Sequence, residues 1–148
     1  MESCAEVNGN IGRATMNGAE WGYFVDETVG EEQFEAWKSH MQNGMIETLF
    51  MGESWEKGPW IVPNRFPPNC KADPHAHNYD TIYVVTKGSL TFNDGTGWYE
   101  PGDVRWVRAN TMYGPEEAGP EGCEFVLVST GPIDVQWEGG DTYDRPTI

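Results

Sequence analysis

The sequence predicts an all-β domain, an antiparallel sandwich or barrel of short strands with one short helix towards its N-terminal end. Three observations carry that expectation. Eighteen glycines and ten prolines punctuate 148 residues, and these residues end strands and make turns. The apolar runs are short, rich in β-branched and aromatic residues, and recur about every 8–12 residues between Gly, Pro and Asn turns. Only residues 30–40 have the spacing of an amphipathic helix. The length suits one domain with a real core.

Taken in order, residues 1–20 are polar and without period, a loose arm or a strand only when packed on a partner. The run Trp21-Gly22-Tyr23-Phe24-Val25 is a possible first strand. In the helix, Phe34, Trp37 and Met41 fall at i, i+3 and i+7, with Glu31, Glu32, Glu35 and Lys38 on the other faces. His40, at its polar end, is expected to be no ligand. Asn43-Gly44 is a turn before a strand over 45–51. Residues 60–66 form another, which Pro63 pushes towards an edge or a bulge. Strands follow over 82–85, 89–93, 104–108, 123–129 and 133–137, separated by turns such as Asn93-Asp94-Gly95 and Pro101-Gly102-Asp103. Residues 82–85 are apolar on both faces, so cover is expected on both sides, by the barrel interior on one and by a helix or a second subunit on the other. The expected organisation is an arm and first strand (1–30), a flanking helix (31–42), a β-barrel (45–137) and a polar tail (138–148).

Charge narrows the function. Twenty-four acidic against nine basic residues give −15, a field that repels phosphate backbones and anionic lipid surfaces. Nucleic-acid and membrane roles are therefore not expected. Anionic substrates are disfavoured too, unless a local Arg or a metal reverses the sign in a pocket. Cys4, Cys70 and Cys123 are odd in number and lack CxxC spacing, which reads as buried or idle reduced thiols. The first ten residues contain no basic and apolar leader pattern, and no window reaches the length of a membrane span. A soluble, cytoplasmic protein is the expectation.

Chemistry concentrates at His75-Ala76-His77, which holds two of the three histidines and is expected to run straight into a β-branched and aromatic strand that ends at Gly88. In a strand, residues two apart share a face, so both imidazoles project side by side. Two neutral imidazoles on one point are half a metal site. A metal-free pair, with one ring as general acid or base and the other as donor, is the alternative, and two polar core residues the bland one. Tyr79 and Tyr83 share the strand parity of the histidines. Arg65, Arg105 and Arg108 are strand-borne cations able to capture a carboxylate. Trp60, Trp98 and Trp106 suggest an aromatic-lined pocket. No nucleophile–base pair, phosphate loop or nucleotide fingerprint is present.

These residues carry a family resemblance. His75-x-His77, then Thr81 and Gly88, is similar to the first cupin motif, and Pro101-Gly102-Asp103 running on to Tyr113-Gly114-Pro115 is similar to the second. The resemblance covers roughly residues 60–130. It implies a double-stranded β-helix jelly roll, often dimeric, with the active site inside the barrel. His75 and His77 match the family's first two metal ligands. Thr81 stands where a glutamate ligand is usual, and Tyr113 where the last histidine is; Arg108 and Asn110 replace the customary proline and glycine.

The resemblance implies a divalent metal (Fe, Mn, Ni or Zn) on His75 and His77, its shell completed by water, with Tyr113 as proton donor and Tyr83 lining the cavity. Asp80 and Glu100 are the nearest carboxylates in sequence, and Asp80 is out of phase with the histidines. Thr81, Arg65, Arg105 and Trp106 are the pocket candidates. The expected function is a metal-dependent enzyme acting on a small organic molecule, with non-redox lyase or isomerase chemistry favoured because the three-histidine set of dioxygenase cupins cannot be assembled. The alternatives are a non-catalytic ligand- or metal-binding cupin for sensing or storage, and a dioxygenase with an atypical ligand set. A homodimer is expected.

Overall fold

A computed structural model of the chain describes residues 5–25 and 30–143. The polar arm is more ordered than expected: β1 (Glu6–Asn8) and β2 (Ile11–Arg13) form a hairpin turned at Gly9, a separate two-stranded sheet. The possible strand at 21–25 reduces to one bridge between Gly22 and Thr48. The helix is α1 (Glu31–Lys38), with acidic residues in its first turn and Lys38 in its last, as its dipole favours. It buries Trp37 against Phe24, Trp137 and Tyr143.

The main sheet has eight strands. They are β3 (Met41–Gln42), β4 (Glu47–Thr48), β5 (Trp60–Phe66), β6 (Lys71–Ala72), then, beyond β7 (His75–Ala76), β8 (Thr81–Thr91), β9 (Trp98–Tyr99), β10 (Val104–Val107) and β11 (Glu116–Ser129). Its central order is β10-β8-β11-β5-β4. A third sheet holds β7, β12 (Val135–Trp137) and β13 (Thr142–Tyr143), so part of the expected polar tail is strand. A bridge between His75 and Tyr113 lies beside it. The pairing path ends at β10 and β4, so among the described residues hydrogen bonding does not close the ring that a barrel implies.

Several expectations are corrected. The histidines do not run straight into the following strand: a bend at Asn78 and Tyr79 separates β7 from β8. Gly88 does not end a strand, because β8 continues through it to Thr91. Pro63 is inside the sheet, between β11 and the segment after β4. Its carbonyl accepts from Leu49, and its missing N–H falls on that side, where regular pairing has stopped. Within this chain β8 is covered on one face, with Thr81, Tyr83 and Val85 buried; Ile82 on the other is 44 % exposed, so among the described residues no helix covers it. The covered faces of β5, β8 and β11, with α1 and β12, enclose an aromatic core that includes Trp60, Phe66, Phe92 and Phe125.

Candidate functional site

His75 and His77 are both buried, held beside β12 by pairing of β7 with it. His75 Nδ1 donates to the Asp73 carbonyl at 2.8 Å and His77 Nδ1 to the Asp134 carbonyl at 2.6 Å. Asp134 is itself clamped by Asn78, whose N–H donates to its Oδ1 while the Asn78 Oδ1 accepts from its N–H. A carbonyl can only accept, so both Nδ1 atoms carry protons and both Nε2 atoms are left for the site.

Those Nε2 atoms meet the Tyr113 hydroxyl, at 3.2 Å from His75 and 3.1 Å from His77. The Tyr83 hydroxyl contacts the Tyr113 hydroxyl as well. Glu116, the first residue of β11, brings Oε1 within 3.0 Å of His75 Nε2 and is as buried as the ring it faces. Five side chains from three separate chain segments thus share one point, with Tyr113 at its centre.

Charge within the cluster follows from burial and pairing. Burial alone would push the His75 imidazole down, but the Glu116 carboxylate, with help from Asp73, raises it above its ordinary value. Burial likewise opposes the Glu116 charge, and His75 outweighs it, holding the carboxyl below its usual range. The pair is ionic. His77 is pushed down to about 4 by burial and then by the charge on His75. It stays neutral and accepts the Tyr113 proton. Tyr113 and Tyr83 are raised well above 10, first by burial and then by negative neighbours, so both are phenols.

The cluster opens on a cavity of about 60 Å³, lined by His75, His77, Tyr83 and Glu116 and by apolar walls that include Trp37, Phe125, Leu127 and Trp137. The other expected pocket residues are elsewhere. Thr81 is buried behind the lining. Arg65 is paired with Glu47 through two hydrogen bonds and covers Trp21. Arg105 pairs with Asp94 at 2.8 Å and stacks on Phe92, its guanidinium 5.3 Å from the Tyr113 ring centre. Trp106 is 66 % exposed, facing out beside Arg108. Trp60 packs in the core and Trp98 is exposed, so the indoles on the cavity are Trp37 and Trp137 instead. Tyr79 lies half-exposed over Gly131. His40 bonds Asp73 and Asp141 and stacks on Trp137, away from the cluster. Cys70 and Cys123 are buried thiols pushed up to about 11 and about 12 by burial, and so unreactive.

Glu116 is the residue that sequence reasoning missed. Asp80 indeed faces away, receiving the Ala109 N–H, and Glu100 is exposed on a turn. The stretch Glu116-Glu117-Ala118-Gly119-Pro120-Glu121-Gly122 reads as a loop, with Pro, two Gly and three Glu. In the structure it is the first half of β11. Its only sequence signal is position, three residues past Tyr113.

No protein-family model matches the sequence, and no curated protein does. Solved structures do match. A provisionally assigned acetylacetone dioxygenase from Methylibium petroleiphilum PM1 superposes with a TM-score of 0.67 at 17 % identity, over 95 % of this chain and 90 % of that one. An acetylacetone dioxygenase from Acinetobacter johnsonii gives 0.65 at 15 % identity, over 95 % and 88 %. An RmlC-like cupin from Ralstonia eutropha gives 0.59 at 14 %, over 88 % and 76 %. The chain has the cupin fold. Gly88, Gly102 and Gly114, in the two stretches that carry the resemblance, all hold positive φ. Among the described residues, no group of three or more His, Cys, Asp or Glu side chains is arranged to hold a metal ion, and no helix is long and apolar enough to cross a membrane.

Proposed function

We propose that this cupin is an enzyme that binds a divalent metal and acts with oxygen, in the manner of a dioxygenase, on a small organic molecule held in the cavity. The observation that carries the reading is the setting of the two imidazoles. Each has its Nδ1–H fixed on a carbonyl and its Nε2 turned to a shared point beside a buried carboxylate.

The donor set fits a divalent ion if Tyr113 is counted. Metal bonds of about 2.1 Å at right angles put neighbouring donor atoms about 3 Å apart. The separations found are 3.0 Å for His75 to Glu116 and 3.1 and 3.2 Å for the imidazoles to Tyr113. His75, His77 and Tyr113 would hold the ion, with Glu116 as a fourth donor or the acceptor of the phenolic proton. Such an ion supplies Lewis acidity and a place for oxygen to bind. The chain's own part is to aim both Nε2 atoms at one point, that of His75 once its second proton has left, to balance the positive charge with Glu116, and to exclude water with apolar walls. Support for oxygen chemistry comes from two of the matched structures, both named for acetylacetone dioxygenases.

A second reading, a metal-free lyase or isomerase, has its own observation. The Tyr113 hydroxyl already sits between both imidazoles with an acceptor in His77, as a general acid requires. Metal analysis and oxygen uptake separate the two. The first reading expects close to one Fe or Mn per chain and oxygen consumption when acetylacetone is the probe. Metal below about a tenth per chain, with no stabilisation by added Fe, Mn, Ni or Zn, removes it. Metal binding without turnover of any carbonyl probe leaves the sensing or storage role. This cupin is also read as a homodimer through the uncovered face of β8 and β10.

A further inference from the structure

We propose that His40 is a positioning residue: it holds the Asp73 carbonyl that orients the His75 imidazole, and it acts on His75 but not on His77. His40 directly follows Ser39, the C-cap of α1, and its N–H donates to the Trp37 carbonyl at 3.1 Å. In the register of β3 with β6, Met41 opposes Ala72, so His40 stands one step further along, opposite Asp73. Its carbonyl accepts the Asp73 N–H at 2.9 Å, and its Nδ1 lies 3.2 Å from Asp73 Oδ2. A carboxylate accepts from whichever ring nitrogen carries a proton. Apart from the His75 Nδ1–H at its carbonyl, Asp73 has no other hydrogen-bond partner among the described residues. That carbonyl is therefore held from the His40 side.

Stiffness carries the effect forward. Pro74 separates Asp73 from His75; its ring fixes φ and restricts the residue before it, so the link transmits a displacement of Asp73 instead of absorbing it. A second route runs through Trp137. Asp141 Oδ2 lies 3.1 Å from His40 Nε2, and the Asp141 carbonyl accepts the Trp137 N–H at 2.8 Å. The His40 ring stacks on Trp137 at 4.3 Å. Trp137 pairs with His75 across β12 and β7 and meets its ring edge-on at 5.0 Å. His40 thus touches both groups that fix how His75 lies, the acceptor at Nδ1 and the indole beside the ring. His77 has separate support from Asp134 and Asn78, which share no hydrogen bond with His40. Partners that orient a metal-binding imidazole through its other nitrogen matter about 10- to 100-fold in affinity. His40 acts one link further out, which sets the expectation at the low end. The inference rests on the proposed function only for its metal readout, since the aim of His75 is a property of the metal-free chain.

The test is nitrogen–proton NMR of the imidazoles in the whole metal-free protein at one fixed pH, followed by titration with Zn(II). His40→Phe keeps a ring on Trp137 and removes both ring nitrogens, while His40→Gln restores a side-chain donor. Asp141→Ala removes the outer partner, whose side chain is 59 % exposed, so folding is not at stake. His40→Phe is expected to shift the His75 Nδ1–H signal, to speed its exchange with water and to leave the His77 signal in place. Zn(II) binding should weaken about tenfold, and His40→Gln should recover most of both. Asp141→Ala should give a smaller change, again at His75 alone. Equal changes at both histidines, or none at either, overturn the positioning role and leave His40 as a fastening of α1. Should His40→Phe fail to fold, the Asp141→Ala spectrum decides by the same criterion. Wild-type protein that takes up no Zn(II) counts against the proposed metal, and the imidazole comparison still decides the role of His40. Unchanged His75 signals with intact Zn(II) binding do the reverse.

Discussion

His75 and His77 are the same side chain two residues apart, yet their affinities for a proton are pushed in opposite directions. The difference lies in what each Nε2 faces. His75 faces the Glu116 carboxylate, which favours a second proton there; His77 faces a phenol and the neighbouring His75, which do not. In metal-free protein, imidazole NMR should give His75 a midpoint above 6.5 and His77 one of about 4. Glu116→Gln should drop His75 below 6.5, because burial then acts with little to oppose it. A His75 midpoint unchanged by that substitution would sink the ion pair. Stability follows the same signs. The neutral His77 contributes fully above pH 6.5, and that share is lost as pH falls towards 4. The raised His75 contributes fully below 6.5 and is lost as pH climbs through its folded value; the lowered Glu116 contributes above 4.5 and is lost in acid. At this scale the sequence disclosed the two histidines and both tyrosines. It hid Glu116, because a carboxylate between Pro and Gly looks like a solvated turn until its strand is paired.

The elements that set these distances are β8 and β11. Both run past a register shift, where Ala118 pairs with Leu90 and Cys123 with Gly88. Gly88 has φ +73°, and an added Cβ would fall inside contact distance of the Gly122 carbonyl. Gly88→Ala should therefore cost more than about 2 kcal/mol, from a left-handed backbone plus the clash. Urea unfolding measures it, and a loss below half that would mean that β11 yields easily. The crossing matters for the site because Glu116 lies beyond it on β11, and Tyr83 on β8. Turns and most strands were legible from Gly, Asn and Pro spacing. The length of β8 and β11 was not, since a glycine that permits a bulge and one that ends a strand look alike in sequence.

For the whole molecule, burial and net charge pull against each other. Val104, Trp106 and Ile82 are 59, 66 and 44 % exposed on paired strands, with Val104 opposite Val84 and Trp106 opposite Ile82. Such a face favours a second copy, while −15 on each chain opposes it. Sedimentation should show a dimer that tightens with salt, as screening weakens the repulsion, and Trp106→Glu should leave a monomer. A wild-type monomer at high salt would dismiss the interface.

The sequence by itself determined the class of fold, the place of the pocket and two of its imidazoles, because turn residues and strand parity act over a few neighbours. Only the tertiary structure decided the membership of the site. Glu116 and the indoles of Trp37 and Trp137 join it from stretches whose sequence gives no sign of it, and charge in a buried cluster depends on which groups share the space.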